Sequence, residues 1–327
     1  MSQARPLFVV NPNAGNGKAE HVMARAVAAF RGPAEVVHTS GPGDAERLAR
    51  QGATEGFAPI VSVGGDGTIH EVVNGLLRAP EPPPLGIVAA GSGNDTIRTL
   101  GLPRNPVAAT RLAWSDVCGA IDVGRCNERF FLNVAGVGLD TRVALAVNAK
   151  SDRLARGKLG YIGQALVELR RYENPEFTIA LDDREVTTRS LLIAIANGRF
   201  FAGGMKVCPD ADPADGWLDV CIGGDLSHRQ ALMLMPTIFV GQHGRHRKVR
   251  FHRVKTMRIE RPAGLEVQLD GEIVEALPAT FSVVPGALRM MGWGPRQYTT
   301  MCGSGPTHAR PPTAGEASDS WPRKSLC

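Results

Sequence analysis

Three short apolar stretches in the first hundred residues each run into a glycine-bearing loop and then into a segment with helical periodicity. The predicted strands cover Pro6 to Val10, Ala58 to Val63 and Leu85 to Ala90. Strands that alternate with helices in this way are typical of parallel βαβ units. Right-handed crossovers bring the carboxyl ends of parallel strands to one edge of the sheet. We therefore expect a Rossmann-like α/β domain whose three loops form one site.

The loops have the sequences NPNAGNGK (11–18), GGDGT (64–68) and GSGND (91–95). Glycine lets the backbone approach a polyanion, and the helix that follows offers free N–H groups. Packing alone explains a glycine turn at any single loop, but the convergence of three favours a polyphosphate site. The candidate nucleotide-binding residues are Asn11, Gly15, Gly17, Lys18, Gly64, Gly65, Gly67, Thr68, Ser92 and Asn94.

The second loop carries two further predictions. We take Thr68 and Glu71 as a capping box that starts a helix over Ile69 to Leu77. Asp66 would repel bound phosphates unless a cation stood between them, so its position indicates a magnesium-linked nucleotide site. Neither common nucleotide fingerprint is present, because His70 stands where GxGxxG requires glycine and no Ser or Thr follows Lys18.

The pattern changes near residue 121, after which strand-like stretches dominate. Strands are predicted over 130–134, 177–181, 190–196, 217–222, 256–260, 265–269 and 280–284, with helices over about 159–171 and 226–240. This pattern favours an antiparallel sandwich or barrel-like β domain. We expect two domains, residues 1–121 and 122–297, followed by a disordered tail over 298–327 that is rich in Gly, Ser, Pro and Thr.

Composition is consistent with an intracellular enzyme. With 327 residues, of which 43% are hydrophobic, the chain can bury two cores. No stretch approaches the roughly 20 apolar residues of a membrane span, and no signal peptide is evident. The six cysteines form no CxxC pair, so we expect reduced thiols and no zinc site. We expect the protein in the cytoplasm.

The motifs together resemble a known family. GGDGT followed by IHEVVNGL, GSGNDTIRTLGLP, NVAGVGLD, MKVCPDADPADGWLDV and LDGE are similar to the bacterial lipid kinases with a diacylglycerol kinase catalytic domain, relatives of the sphingosine kinases. The resemblance runs from about Pro6 to Trp293. GGDGT also occurs in NAD kinases and phosphofructokinases, whereas its combination with GSGND-x-x-R and the late DGE is specific. Family members often have Asn where His70 stands.

The resemblance implies an enzyme that transfers the γ-phosphoryl group of ATP to a lipid hydroxyl with Mg²⁺. It places Glu272 at the phosphorylation centre as the base, although Asp-Gly before it is also an ordinary hairpin turn. It makes Asp66 catalytic and implies that Asp66 and Asp122 together bind the Mg²⁺ ion. Without the resemblance, Asp122 would be interpreted as an acid in a turn or at a strand end. Asp95, which could equally cap a helix, and Arg98 belong to the acceptor side.

A second acidic pair, Asp212 and Asp215, lies in a loop rich in proline and glycine that composition alone makes a solvated turn. The resemblance implies a structural Mg²⁺ bound by these two carboxylates and the Trp217 carbonyl. Lys158, ahead of a predicted helix, is a further candidate to reach the cleft, although a surface lysine is the favoured interpretation.

Charge bears on the partners. The net charge is +5. Segment 245–261 contains one acid, Glu260, and basic residues at positions 245, 247, 248, 250, 253, 255, 258 and 261. Such a run can dock on anionic lipid, at about 1 kcal/mol per Lys or Arg, or it is a solvated strand face. Nucleic acid is disfavoured because only 6% of residues are aromatic. The resemblance permits a homodimer.

Two other functions remain open. An NAD kinase would share GGDGT, but the late DGE argues against it, and so does the loop that carries Asp212 and Asp215, called the acidic loop below. A nucleotide-binding regulator or lipid carrier without turnover would not need the candidate base beside metal-binding acids. The lipid that is phosphorylated is not encoded in any short motif.

Overall fold

The computed structural model describes residues 5–30, 32–149 and 158–294. The predicted tail, 298–327, lies outside the described residues. The helices, numbered in chain order, are α1 Ala19–Ala29, α2 Asp44–Thr54, α3 Asp66–Leu76, α4 Asp95–Leu100, α5 Pro106–Ala113, α6 Leu139–Asn148, α7 Lys158–Leu169 and α8 His228–Phe239, with 3-10 turns at Ala14–Gly17 and His243–Arg245.

The strands fall into two large sheets and one small hairpin. In chain order they are β1 Leu7–Val10, β2 Glu35–His38, β3 Ile60–Gly64, β4 Leu85–Ala89, β5 Cys118–Cys126, β6 Arg129–Phe131, β7 Val134–Gly138, β8 Glu176–Leu181, β9 Arg184–Arg189, β10 Leu192–Ala196, β11 Phe200–Phe201, β12 Met205–Lys206, β13 Leu218–Gly223, β14 Val249–Val254, β15 Thr256–Arg261, β16 Glu266–Leu269, β17 Glu272–Ala276 and β18 Ala279–Met291.

The amino-terminal half is the predicted parallel α/β layer. Strands β2, β1, β3 and β4 are parallel neighbours in that order. Side chains of β1 alternate between two cores, because Leu7 and Val9 pack on the side of α2 and α3 while Phe8 and Val10 pack on the side of α1 and α5. Helices cover both faces, which explains why these strands read as continuous apolar runs.

The carboxyl-terminal half is an antiparallel sandwich, as expected. One sheet has the order β14, β13, β10, β7, β16, β17, and it packs against β8, β15 and β18 through a core that includes Val137, Ile195, Phe177, Ile259 and Phe281. Helices α6, α7 and α8 cover the other face of the six-stranded sheet.

The two halves share one sheet. Strand β18 pairs antiparallel with β15 and β5, and at Met290 it pairs parallel with Leu85 of β4. The ten-stranded sheet therefore runs from β2 in the amino-terminal half to β9 in the carboxyl-terminal half. The predicted domain boundary at residues 121 and 122 falls inside β5 and stays a prediction.

Two local predictions were wrong. Helix α3 begins at Asp66 with Gly65 as its N-cap residue, so Thr68 lies inside the first turn and forms no capping box with Glu71. The Glu71 carboxylate instead accepts N–H groups of Gly43 (2.9 Å) and Ala45 (3.0 Å) at the start of α2. The single strand predicted over 130–134 is two strands, β6 and β7, that belong to different sheets.

Other predictions were confirmed. Asp270 and Gly271 form a two-residue hairpin turn between β16 and β17, with positive φ at both residues (52° and 96°). The four cysteines within the described segments are free thiols. Across those segments no helix is long and apolar enough to cross a membrane.

Candidate active site

The three glycine loops meet at the carboxyl edge of the parallel strands. Asn11 in the first loop donates its side-chain N–H to Oγ1 of Thr68 in the second (3.1 Å). A Cβ atom on Gly15 would lie 1.9 Å from the Ala90 carbonyl oxygen, and one on Gly91 would lie 2.6 Å from Cα of Gly65. The loops thus pack backbone against backbone, which only glycine permits at these positions.

Asp66 holds the second loop to the third. Its two carboxylate oxygens accept the backbone N–H groups of Asp95 (3.2 Å) and Thr96 (3.0 Å), at the amino-terminal end of α4. A Cβ on Gly93 would lie only 2.9 Å from Asp66 Oδ2. The negative charge of Asp66 is thereby stabilised by a helix terminus as well as by hydrogen bonds.

The remaining predicted nucleotide-binding residues line the same loops. Gly17, Lys18 and Ser92 are exposed, and Gly64 is buried at the end of β3. Asn94 adopts a left-handed conformation (φ 55°) as the N-cap residue of α4. Its side-chain oxygen is buried and has no hydrogen-bond partner within the described residues. A buried acceptor of this kind indicates a missing donor from a ligand or water.

Asp95 and Arg98 link the third loop to the β11–β12 hairpin. Asp95 is buried, its Oδ2 accepts the N–H of Gly203 (2.6 Å), and its other oxygen pairs with Arg98. The Arg98 guanidinium also lies over the Phe200 ring, 5.6 Å from its centre. Asp95 is the first residue of α4 rather than its N-cap.

Glu272 reaches the second loop from the opposite half of the molecule. It is exposed and follows the Asp270–Gly271 turn at the start of β17. A Cβ on Gly67 would lie 3.0 Å from Oε1 of Glu272, so this carboxylate stands directly over the first turn of α3. The amino-terminal end of α3 and the candidate base therefore lie against each other where the two halves meet.

Asp122 is held by the acidic loop and by β18. It is buried, and its two oxygens accept N–H groups of Gly216 (2.7 Å) and Gly286 (2.8 Å). These partners differ from those of Asp66, whose oxygens are bound by α4. The Asp122 N–H in turn donates to the Pro213 carbonyl (2.7 Å), which fixes the acidic loop to β5.

The acidic loop concentrates negative charge. Burial raises the pKa of Asp215, while Arg253 opposes this and Asp212 and Asp122 add to it. Burial likewise raises the pKa of Asp219 to about 7, and one of its oxygens is buried without a hydrogen-bond partner in the described segments. No three His, Cys, Asp or Glu side chains in those segments form a metal centre. The surplus of carboxylates is nevertheless what a divalent cation neutralises.

An apolar pocket of about 120 Å³ lies between the six-stranded sheet and helices α6, α7 and α8. Two of its lining side chains are polar, Asp140 and His243. Burial raises the pKa of Asp140 to about 6, and one of its oxygens has no hydrogen-bond partner among the described residues. The other oxygen accepts from Gln268 (3.3 Å), which accepts the N–H of Gly271 (2.7 Å). The cavity is thus linked to the turn that carries Glu272.

Sequence reasoning missed several of these residues. Asp140 lies in the NVAGVGLD motif (133–140), whose sequence alone indicates no role for it, and the cavity arises from helices distant in sequence. Asp270 was treated as a turn residue, yet its carboxylate accepts three backbone N–H groups from 132–134. The available signal is its position before glycine at the tip of a predicted hairpin. The side chain of Lys158 lies outside the described part of the chain.

The three glycine loops are of the kind that binds phosphate, and they lie at one edge of a parallel sheet. A carboxylate from the antiparallel sandwich lies beside them. This arrangement defines a phosphotransferase built from two halves. Residues 5–126 match the family model described as the diacylglycerol kinase catalytic domain, and residues 133–292 match the YegS C-terminal NAD kinase beta sandwich-like domain. The chain belongs to the diacylglycerol kinase catalytic-domain family.

Individual relatives agree with this assignment. The chain is 35% identical to a diacylglycerol kinase of Mycobacterium tuberculosis over 295 residues, which cover 86% of this chain and 93% of that protein. It is 34% identical over 250 residues to a YegS-like lipid kinase of Pseudomonas aeruginosa, covering 76% and 81% of the two chains. A crystal structure from Bacillus anthracis that bears a diacylglycerol kinase name superposes with a TM-score of 0.75 at 27% identity, covering 90% of this chain and 99% of that one. The chain is a lipid kinase, a phosphotransferase whose acceptor is an alcohol group.

Proposed function

We propose that the protein phosphorylates the free hydroxyl of diacylglycerol or of a lipid that resembles it. The observation that carries this proposal is the position of Glu272 over Gly67, at the loop that begins α3. A base from the β half thereby stands beside the phosphate-type loops of the α/β half. The lipid and the nucleotide would meet in the cleft between them.

The three loops bind the triphosphate in this proposal. Backbone N–H groups of the second loop and the side chain of Asn11 donate to phosphate oxygens, and Lys18 supplies positive charge. The unpartnered oxygen of Asn94 supports a ligand at this edge. Gly15, Gly17, Gly64, Gly65, Gly67, Thr68 and Ser92 keep their predicted place around the nucleotide.

A Mg²⁺ ion bound with ATP would supply the positive charge that neutralises the phosphoryl oxygens. Asp66 is the carboxylate placed to face it. Each of its oxygens accepts one N–H group and keeps a further lone pair, so the residue fits such a cation. Asp122 offers lone pairs in the same way, but its partners, Gly216 and Gly286, lie in the acidic loop and in β18.

A second Mg²⁺ fits the acidic loop through Asp212, Asp215 and the Trp217 carbonyl. The raised pKa of Asp215, and the neighbouring Asp122 and Asp212 that contribute to it, support a cation here. Because Asp122 in β5 is bonded to this loop, such a cation would brace the junction of the two halves. It would not contact the transferred phosphoryl group.

The chemical step asks of the protein mainly positioning and a proton acceptor. Glu272 accepts the proton of the lipid hydroxyl, to which a positioned base contributes roughly 10²- to 10⁴-fold. Asp95 and Arg98 stand on the acceptor side, where Asp95 is fixed by Gly203 of the β11–β12 hairpin. Asp95 orients the lipid head, while Arg98 compensates the negative charge of Asp95.

The apolar cavity receives part of an acyl chain. Engineered cavities of about 150 Å³ hold a molecule such as benzene. At about 120 Å³, this one admits the end of a chain, and a full chain requires α7 or α8 to move outward. Its lining is almost wholly apolar, which is the chemistry of a lipid tail.

Helix α8 is the proposed docking element for the membrane. Leu232 (51% exposed), Met233 (69%) and Val240 (61%) present apolar side chains at its surface. Exposed Arg245 and Arg247 follow it directly in the chain. Farther along the basic run, Arg250 and Arg253 lie in β14 and Arg258 and Arg261 in β15, which belong to different sheets. Arg253 and Arg258 are paired with acids. The docking surface is therefore α8 with Arg245 and Arg247.

A panel of acceptors with γ-labelled ATP and Mg²⁺ tests the proposal. Mixed micelles containing diacylglycerol, monoacylglycerol, phosphatidylglycerol or a long-chain base are compared with NAD, and products are identified by mass spectrometry. We expect label in phosphatidic acid. Label in NADP alone, or in none of the products, would contradict the proposed function.

A further inference from the structure

One face of helix α3 touches the carboxyl-terminal half at three successive points. Gly67, His70 and Asn74 are spaced three and four residues apart, so they lie on the same side of the helix. Gly67 lies against Glu272, His70 against Asp270, and Asn74 against Phe130. The helix that begins at the phosphate-type loop thus contacts the hairpin that carries the candidate base.

Asp270 is the centre of the second contact. Its oxygens accept N–H groups of Leu132 (2.8 Å), Asn133 (2.8 Å) and Val134 (3.0 Å), and its own N–H donates to the Val134 carbonyl (3.0 Å). Nδ1 of His70 lies 3.4 Å from Oδ2 of Asp270, with both side chains at most 4% exposed. The tip of the hairpin is therefore fixed to its own half and to α3 together.

Asn74 makes the third contact and is fully buried. Its amide oxygen accepts the Phe130 N–H and its amide nitrogen donates to the Phe130 carbonyl, both at 3.0 Å. The same nitrogen lies 2.9 Å from the His70 carbonyl oxygen and 3.5 Å from His70 Nε2. Asn74 thus pairs with β6 as another strand would, and it supports the imidazole of His70 from behind.

We propose that His70 and Asn74 are positioning residues, which set the register between α3 and the β16–β17 hairpin and so hold Glu272 over the loop at Gly67. The inference rests on the proposed function, because it takes Glu272 as the base. Neither residue touches the substrates in this account. His70 acts through Asp270, two residues before Glu272, and Asn74 acts through Phe130 and the imidazole of His70.

The geometry explains why such a device is needed. The loop and the base belong to different halves of the chain, and Glu272 is exposed at the start of a hairpin strand. A displacement of about 1 Å at a catalytic group costs on the order of 10²-fold in rate. Buried hydrogen bonds on one rigid helix face supply the required precision.

Steady-state kinetics of His70 variants test the proposal. His70→Ala should lower kcat by about tenfold or more, with the KM for ATP changed less than about twofold, because the phosphate loops are untouched. His70→Asn, which retains an N–H donor, should recover most of the lost kcat. Glu71→Gln is the matched control, because Glu71 lies next to His70 in the chain but its side chain contacts the start of α2 on another face of α3. This variant should have lower thermal stability and an unchanged kcat.

A double-mutant cycle separates positioning from a general loss of stability. If His70 acts through Glu272, adding His70→Ala to Glu272→Gln should lower kcat no further. Equal losses in both backgrounds, or wild-type kcat in His70→Ala, would overturn the inference while leaving the proposed function intact. Wild-type kcat in Glu272→Gln would instead overturn the base assignment, and the inference with it.

Discussion

At the scale of single residues, the site is built from carboxylates whose oxygens accept backbone N–H groups. Asp66 holds the start of α4, Asp122 holds the acidic loop, and Asp270 holds residues 132–134. Asp140 differs, because it lies in an apolar cavity and its pKa is raised by burial.

Asp140 should make the stability of the protein depend on pH. Its pKa in the folded protein, about 6, exceeds the ordinary value of 3.8, so ionisation of Asp140 destabilises the folded state. This destabilisation grows as pH rises from about 4 to 6 and is complete above that range. A difference of this size corresponds to at most about 3 kcal/mol. Asp140→Asn should therefore gain unfolding free energy relative to wild type at pH 7 but not at pH 4.

Urea unfolding of the two proteins at both pH values measures this effect. Asp183→Asn, which changes an exposed acid in the turn between β8 and β9, serves as the control. An Asp140→Asn variant with the same stability difference from wild type at pH 4 and pH 7 would show that Asp140 is not destabilised by burial.

At the scale of elements, α3 and α8 have separate tasks. Helix α3 carries the loop at its amino-terminal end and contacts the other half along one face. Helix α8 covers the apolar cavity with one side and exposes apolar side chains on the other. Such a helix suits a protein that takes its substrate from a membrane surface.

Changing both exposed residues in the middle of α8 should weaken membrane binding. Leu232→Ser with Met233→Ser removes apolar area that would enter the lipid, so the fraction sedimenting with anionic vesicles should fall. Val117→Ser, at another exposed apolar position (42% exposed) in the amino-terminal half, should leave binding unchanged. Equal binding by all three proteins would exclude α8 as the docking element.

At the scale of the whole molecule, the sequence anticipated the architecture better than the connections. Strand periodicity and glycine loops predicted the parallel sheet, and alternation predicted the sandwich. The sharing of one sheet through β18 was not predicted, because a parallel contact at Met290 and Leu85 joins residues far apart in the chain.

The site shows the same division between local and distant information. Its loops and the Asp270–Gly271 turn follow from local chemistry, and a resemblance to relatives supplied the role of Glu272. The partners of Asp66, Glu71 and Asp122 could not be read from sequence, since each carboxylate binds N–H groups 26 or more residues away. A carboxylate beside glycine predicts a hydrogen-bonding role but not which backbone it will hold.

The central claim is that Glu272, brought over the Gly67 loop by the carboxyl-terminal half, acts as the base for phosphoryl transfer to a lipid. Its most direct test is the rate of label transfer from γ-labelled ATP to diacylglycerol in micelles by wild type, Glu272→Gln and the control Glu275→Gln on the same strand. Glu272→Gln should lose about 10²- to 10⁴-fold in kcat while still binding ATP, and Glu275→Gln should keep near-normal turnover. Turnover by Glu272→Gln at the wild-type rate would contradict the account.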